Sequence, residues 1–374
     1  MPEILVPGVH VGEDKAGPRP IARVSTSTAG FVGVTERGPT QPTLVTSWAD
    51  YQRALGGFID QPPLDTVNRN LPYAVRGFFE NGGQRLYVAR LAAGADLDAY
   101  VGGLDALLAI DEISLLAAPD EATQPGLTDA LIDRCERAKD RFAVLNETSH
   151  GVSGGTFAGH RDSAYGAIYY PRIRVSAPHR PDGDVLVPPC GHVAGIYART
   201  DAHRGVYKPP ANEVVRGIVG LHSALEHTLT LTGAAQDVLN KRGVNVISDV
   251  HGEIRVWGAR TMSSDPEWKY VNVRRLLIFI EASIDRGTQW VVFEPNGEPL
   301  WAAIRASITN FLFDLWREGA LQGTTAQEAF VVRCDRTTMD QDDIDHGRLV
   351  CVVGVAPVKP AEFVVVRITK RLQP

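Results

Sequence analysis

The sequence predicts a multidomain chain of mixed class, α/β in its middle and α+β in its last third, with extended β arms at both ends. Three observations lead there. Short apolar strands flank an amphipathic helix between residues 113 and 145, the alternation of a parallel sheet covered by helices. From Pro299 to Glu318 the apolar positions Ile304, Ile308, Phe311, Leu312 and Leu315 recur at i, i+4, i+7, i+8 and i+11, one buried face of a long helix. Both chain ends are rich in Val, Ile and Leu and are set apart by prolines, Pro7, Pro18 and Pro20 at one end and Pro357 and Pro360 at the other. With 374 residues, 44% of them hydrophobic, the chain is too long for one ordinary core and apolar enough for two or three domains.

The elements follow in order. The first 25 or so residues carry too many prolines for a helix and have little to pack on, so they read as an extended arm. Thr28 to Val34 is a short strand, and Ser47 caps a helix that runs to Leu55 and is closed by Gly56-Gly57, residue types that satisfy and stop helix ends. A second helix spans Leu71 to Glu80, stopped by Asn81-Gly-Gly83, and Arg85 to Arg90 is a strand. Ile113–Ala117, Arg141–Leu145 and Ala167–Tyr170 are apolar strands, with a helix over Leu127 to Lys139 between the first two. Pro178 to Pro189 reads as a Pro- and Asp-rich loop, and Lys208-Pro-Pro-Ala-Asn212 as a break leading into a helical stretch from Glu213 to Leu221. Strands are expected at Val244–Ile247, Ile254–Trp257, Trp290–Phe293, Ala329–Arg333, Gly347–Gly354 and Glu362–Ile368, and helices at Arg274–Arg286 and Pro299–Glu318.

Composition excludes several partners. The 38 basic and 44 acidic residues leave a net charge of -6 without long runs of one sign, so the electrostatic footprint of a nucleic-acid binder is missing. Cys135, Cys190, Cys334 and Cys351 are far apart, without C-x-x-C spacing, and read as free thiols of a reducing cytoplasm. The start, Met-Pro-Glu with a second proline at Pro7, lacks the basic and apolar stretches of a signal peptide, so Sec export is not expected. The apolar run Leu276–Ile280 is far shorter than the roughly 20 residues of a membrane span, and no membrane insertion is expected.

Catalytic and metal patterns are present only in fragments. Gly151-Val-Ser-Gly-Gly155 matches G-x-S-x-G after a strand, which would lift Ser153 as a nucleophile with His192 and Asp182 or Asp184 completing a triad. A loop rich in Gly and Ser explains the same residues, and no helix starts tightly after them. His150, His160, His179, Cys190, His192 and His203 match no compact zinc spacing. A calcium loop starting at Asp340 would put Ile344 at its fifth position and Cys351 at its twelfth, where a bidentate Glu is needed, so Asp340–Asp345 reads as a solvated turn between strands. There is no phosphate loop and no dinucleotide fingerprint, and no cofactor is expected. Trp257 and Trp268, each beside basic residues, are expected to pack in an interdomain core. The planar forks of Arg274 and Arg275 suit carboxylates of a neighbouring subunit.

One long signature remains: Gly243-Val-Asn-Val-Ile247, Val256-Trp-Gly-Ala-Arg-Thr261, Trp268-Lys-Tyr-Val-Asn-Val-Arg-Arg275, Val291-Val-Phe-Glu-Pro-Asn296 and Val355-Ala-Pro-Val-Lys-Pro-Ala-Glu-Phe-Val-Val-Val366. It closely resembles the contractile tail sheath proteins of phages, R-type bacteriocins and extracellular injection machines, as do Pro7-Gly-Val-His-Val11, Gly30-Phe-Val-Gly33 and the stretch from Val187-Pro-Pro to Gly195-Ile-Tyr-Ala-Arg-Thr-Asp201. The resemblance implies a mechanical protein: a helical homopolymer of hexameric rings around an inner tube protein, bounded by baseplate and terminal cap proteins, assembled in the bacterial cytoplasm and then part of a tail or tail-like particle. It implies an arm at residues 1–25, a β-rich part of the body at 26–90, an inserted α/β domain of subtilisin-like topology at 91–255, an α+β core at 256–356 and an arm strand at 357–374. Ile4, Leu5, Val6, Val9 and Val11, and Phe363, Val364, Val365, Val366, Arg367 and Ile368, would enter neighbouring subunits, because a protruding strand leaves its backbone unpaired until it joins a sheet. Pairing within the chain's own domain is the other reading of those ends. Arg305, Thr309 and Arg317 would face the tube. A serine hydrolase using Ser153 and a non-contractile coat or filament protein are the competing functions.

Overall fold

The computed structural model describes residues 19–59, 69–147, 161–180, 182–221 and 239–362. They divide into two compact bodies, residues 23–282 with 357–362 and residues 19–22 with 283–356.

The larger body is built on one sheet. In chain order it holds β1 (Ala29–Val34), β2 (Thr43–Val45), α1 (Trp48–Leu55), α2 (Leu71–Glu80), β3 (Leu86–Leu91), α3 (Leu97–Leu108), β4 (Leu115–Ala117), α4 (Leu127–Ala138), β5 (Phe142–Asn146), β6 (Gly166–Tyr170), β7 (Ile173–Ser176), β8 (Asp184–Val187), α5 (Cys190–Arg204), β9 (Glu213–Val214), β10 (Ile218–Leu221), β11 (Val244–Val250), β12 (Glu253–Val256) and α6 (Val271–Gly287), whose residues to Ala282 belong here. The strand order is β2-β3-β1-β4-β5-β6-β11-β12-β9. The six strands from β3 to β11 are parallel, and antiparallel β2, β12 and β9 finish the edges. A separate three-stranded sheet, β10-β7-β8, is antiparallel.

Strand residues alternate between two cores, because successive side chains of a strand point to opposite faces. Phe31, Leu115, Val144 and Tyr169 join α1, α2, α5 and α6 on one side. Val32, Leu116, Leu145 and Ile168 join α3 and α4 on the other. Both faces are covered, so the central strands are apolar without interruption, as the sequence showed at 113–117 and 141–145. The boundary expected at residue 90 falls inside this sheet. β1 pairs with β3 on one side and β4 on the other, and that double ladder makes 26–90 and 91–255 parts of one body.

The expected helices at 47–55, 71–80, 127–139, 274–286 and 299–318 are present within a few residues, Ser47 capping α1 through the amide of Asp50 at 3.1 Å. Several expectations fail: the loop expected at Pro178–Pro189 contains strand β8, and the strand expected from Gly347 begins only at Val352. The stretch Glu213–Leu221 is β9 and β10, not helix, because left-handed Gly217 (φ 76°) separates two short β-branched pieces. Trp290–Phe293 is not a strand: Gln289–Val291 forms a 3-10 turn, and Phe293 takes φ 71° with its ring fully exposed. Trp257 is also exposed rather than packed in a core, since it follows inward-facing Val256 and strand alternation turns it out.

Helices α2 and α5 meet through glycines. Gly77 faces the His192 ring, Gly191 faces the backbone of Ala74, and Gly195 faces the carbonyl of Phe78, with Asn81 Cβ only 2.8 Å from where a methyl group would stand. Small residues let the two helices approach to backbone contact, which the long side chains of an ordinary interface would prevent.

The smaller body holds α7 (Glu298–Arg317), α8 (Ala326–Ala329), β13 (Phe330–Arg333), α9 (Gln341–Asp345) and β14 (Val352–Val355). The predicted apolar face of α7, Ile304, Ile308, Phe311, Leu312 and Leu315, is buried, together with Trp301. β13 and β14 pair antiparallel as a sheet of two strands.

Gly195→Ala should destabilise the larger body by about 1–3 kcal/mol, the usual cost of forcing a methyl group into a packed site. Urea denaturation measures it; a midpoint equal to that of the parent chain would mean that α2 and α5 can separate freely.

Candidate functional surfaces

In open α/β sheets a ligand site lies beyond the carboxyl ends of the parallel strands. Here β4 runs through Pro119 to Asp120 and Glu121, β5 ends at Asn146, and α5 starts at Cys190. These side chains bind one another. Glu121 accepts from Asn146 Nδ2 at 3.0 Å and from Thr128 Oγ1 at 3.1 Å. Asn146 Oδ1 in turn accepts from the Cys190 amide at 3.0 Å. Asp120 accepts from Asn70 Nδ2 and from the Tyr100 hydroxyl, both at 2.9 Å. Asp120, Glu121, Asn146 and Cys190 are all buried, and burial pushes the Cys190 thiol and the Asp120 carboxyl up. The result is a polar weld between strand ends and helix starts, with hydrogen bonds satisfying groups that would otherwise be costly to bury.

Ser153, His150 and His160 lie outside the described residues. Of the triad partners considered for Ser153, His192 is buried between α2 and α5, Asp184 binds Arg174 at 2.8 Å, and Asp182 is exposed. His179 hydrogen-bonds the Tyr73 hydroxyl at 3.0 Å and stacks on Phe58. The acidic stretch at 340–345 is helix α9 with its cap: Asp340 accepts from the Asp343 amide at 2.8 Å, Asp343 reaches back, and Arg348 binds Asp342 and Asp343. Among the described residues no group of His, Cys, Asp and Glu could hold a metal ion, and no helix is long and apolar enough to cross a membrane.

Arg274 and Arg275 are the correction that matters most. Both are buried and pair within the subunit rather than standing free for a neighbour. Arg275 forms a bidentate pair with Asp201 at 2.6 and 3.0 Å, donates to the Thr26 carbonyl at 2.8 Å and covers the Tyr197 ring. Arg274 binds Glu281 at 3.1 Å and lies over the rings of Tyr165 and Trp268. The fork geometry read from the sequence is used, with the carboxylate coming from the same chain.

Among the described residues, exposed side chains of the smaller body lie on β13, β14 and α7. Val331 of β13 and Val352 of β14 are exposed, and among the described residues neither strand has a second neighbour. On α7 the exposed side chains include Asn310, Phe313, Asp314 and Arg317. Thr309 is half-buried, and Arg305 is held by the Cys334 carbonyl at 3.1 Å. The residues expected to form arms, Ile4, Leu5, Val6, Val9 and Val11 and Phe363 to Ile368, lie outside the described residues. The last described residue, Glu362, is anchored by Arg260 at 2.5 Å, the Tyr270 hydroxyl at 3.1 Å and Lys269 at 3.4 Å, and Asn272 donates to the Val358 carbonyl at 3.0 Å.

Comparison with known proteins gives the chain a family. Residues 93–262 match the phage tail sheath protein central domain and residues 263–371 the phage tail sheath C-terminal domain. A putative prophage major tail sheath protein of Pseudomonas aeruginosa (strain UCBPP-PA14) is 24% identical over 382 residues, covering 95% of this chain and 94% of that one. A chain of the six-fold symmetrised baseplate of the anti-feeding prophage is 32% identical and superposes with a TM-score of 0.79 over 99% of this chain and 100% of its own. The chain belongs to the phage tail sheath family. A PVC sheath complex of an extracellular contractile injection system, in the contracted state, is similar at 28% identity and a TM-score of 0.81, covering 99% of both chains.

The convergence of Arg260, Lys269 and Tyr270 on Glu362 is the feature that the sequence does not announce. Glu362 lies inside the Val355–Val366 block, so its signal was an acidic residue among prolines and valines just before the Phe363–Ile368 run. The β13–β14 pair was legible, as strands expected at Ala329–Arg333 and Gly347–Gly354 on either side of the acidic turn.

The weld also sets a pH dependence. Burial pushes the Glu121 carboxyl up to about 8 from its ordinary 4.5, outweighing the hydrogen bonds from Asn146 and Thr128. Between those values the folded state binds the extra proton, so stability is full below the unfolded value and is lost as pH rises through the folded one. His192 acts in the opposite direction: burial, helped by Arg76, pushes it down to about 3, so stability is lost as pH falls below its ordinary range. Glu121→Gln should therefore flatten the decline in urea midpoint between about pH 5 and 8 while leaving the acid limb in place. An unchanged slope would rule out Glu121 as the titrating group.

Proposed function

We propose that this chain is the contractile sheath subunit of a phage tail-like particle, stacked as hexameric rings around an inner tube and shortening to drive that tube through a target envelope. The observation that carries the reading is the two-stranded sheet β13–β14, with exposed Val331 and Val352, in a chain whose ends are both strand-like. A sheet of two strands is marginal alone, and its edges are templates for added strands. Arms from neighbouring subunits, Ile4, Leu5, Val6, Val9 and Val11 of one and Phe363 to Ile368 of another, would complete it. The baseplate chain and the contracted sheath complex among the similar structures support the same assembly.

In this reading the partners are further copies, an inner tube protein, and baseplate and terminal cap proteins; assembly takes place in the bacterial cytoplasm and the product is a tail or a released particle. The parallel sheet of the larger body would be the inserted domain of subtilisin-like topology, which carries no implication of activity. Contraction requires no fuel site if the extended sheath is a metastable packing that relaxes to a second one. The tube-facing surface would be the exposed side of α7. Arg317 is exposed there with Asn310 and Asp314 nearby on the helix, whereas Arg305 is tied to Cys334 and Thr309 is half-buried. Exposed pairs contribute only about 0–1 kcal/mol each, which suits a grip that must release.

Negative-stain microscopy of the native assembly tests the function: striated tubes of two lengths and diameters are expected, and a filament of one length, or none, would overturn it. Cutting the chain after Glu362 keeps the contacts with Arg260, Lys269 and Tyr270 while removing the arm strand. The truncated subunit should melt like the parent yet fail to polymerise; sheath of normal length from it would dispose of the arm. Arg317→Glu should lower the yield of extended particles on the tube with no change in melting, and a normal yield at physiological salt would place the tube surface elsewhere.

A further inference from the structure

β13 and β14 pair in the register Phe330↔Val355, Val331↔Gly354, Val332↔Val353 and Arg333↔Val352. The next residues in line are Cys334 and Cys351. Directly opposed residues of an antiparallel pair have Cα atoms about 4.5–5.5 Å apart, inside the range that a disulfide spans. Each thiol perturbs the other, raising the pKa of Cys334 and lowering that of Cys351. Neither belongs to the polar weld of the larger body, and no role in the assembly proposed above uses them.

We propose that Cys334 and Cys351 are an intrachain modification site: a low-molecular-weight disulfide oxidises them to a disulfide that staples the loop end of the β13–β14 hairpin.

The two sulfurs have different roles. Cys351 is half-buried, and its thiol is held below the usual range because Cys334 hydrogen-bonds to it, with the positive charge of Arg305 assisting. The same contact, together with burial, pushes the Cys334 thiol up. Cys351 is therefore the attacking group, since the thiolate is the nucleophile in exchange. Its sulfur attacks one sulfur of the oxidant, whose S–S bond breaks; a mixed disulfide forms and one small thiolate leaves, taking up the proton Cys351 lost. Cys334 then gives up its proton, attacks the Cys351 sulfur and displaces the second small thiolate, which takes that proton. Two protein thiols lose two electrons in total, and the oxidant is reduced to two thiols.

The surroundings already hold the two residues in place. Arg305 fixes the Cys334 carbonyl at 3.1 Å, Thr338 Oγ1 donates to the Val350 carbonyl at 2.8 Å, and Arg348 binds Asp343 at 2.8 Å within the intervening loop. Closing the bond leaves that loop as it is. It ties together the hairpin's two strands where they enter the loop, and the cross-link constrains the unfolded chain. Cys135 and Cys190, buried in the larger body with thiols pushed up by burial, do not compete.

The test uses the purified full-length chain, folded, with oxidised glutathione as the probe. Peptide mapping without reduction should recover the peptides of Cys334 and Cys351 joined, with the chain lighter by two hydrogens and its melting temperature raised. Cys334→Ser should stop at a glutathione adduct on Cys351, and Cys351→Ser should leave Cys334 unmodified. A lasting glutathione adduct on the parent chain, a link between two chains, or both thiols still free while denatured chain oxidises under the same conditions would each overturn the proposal. The wild-type map decides it even if a serine variant fails to fold, and it does not depend on whether the chain forms a sheath.

Discussion

The larger body is organised around the Arg275 guanidinium. Its fork closes on Asp201 near the end of α5, one of its nitrogens also binds the Thr26 carbonyl where the chain enters β1, and its face covers Tyr197, whose hydroxyl shares a 2.6 Å hydrogen bond with Tyr169 of β6. Helix α6, helix α5, the first strand and the middle of the sheet thus meet at one charge. The side chains of Arg275 and Asp201 are each 3% exposed, so desolvation offsets much of their attraction, and the pair is weak evidence of net stabilisation. Its effect is selective. Any other placement of α6 against α5 would leave a charge buried without its partner, at a cost of about 3–5 kcal/mol. Lysine could not replace the arginine, because one ammonium group cannot bind a carboxylate in two places, donate to a carbonyl and stack on a ring.

The elements that were legible in the sequence are those with marked ends or a single buried face. Ser47 and Gly56 bracket α1, Asn81-Gly-Gly83 stops α2, and the one-sided pattern of 127–138 and 298–317 gives α4 and α7. The elements that were not legible break those rules for physical reasons. Helix α5 is buried on every side from Cys190 to Thr200, so it has no polar face to set up a period, and its Gly191 and Gly195, unfavourable to a helix in isolation, are there for the contact with α2. Helix α3 carries Gly102-Gly103 in its middle. The arginine motif at 274–275 announced bidentate pairing with a carboxylate, but residue type does not say which chain supplies the acid. Only the fold brings Asp201 to Arg275.

The proposed sheath separates two mechanical tasks between two kinds of interaction. A strand added to a sheet is held by a ladder of main-chain hydrogen bonds, each contributing about 0.5–1.5 kcal/mol and independent of the side chains that repack around it. Exposed charges on α7 contribute less apiece and weaken further with salt. A tether of the first kind outlasts a grip of the second, so the tube can be released while neighbours stay joined. The tether also needs a firm base, because a pull on the arm would otherwise peel it from its own subunit. Glu362, where three partners converge, and the Val358 carbonyl held by Asn272 supply that base. Arg260, its closest partner, is itself fixed by its amide, which donates to Asn245 Oδ1 at 2.7 Å, and Asn245 lies on β11 of the parallel sheet. Tension on the C-terminal arm would thus run through Glu362 and Arg260 into β11 of the parallel sheet. With the base fixed in this way, the added strand's own ladder sets how much tension the tether bears, and that ladder still exceeds the grip of the exposed charges on α7.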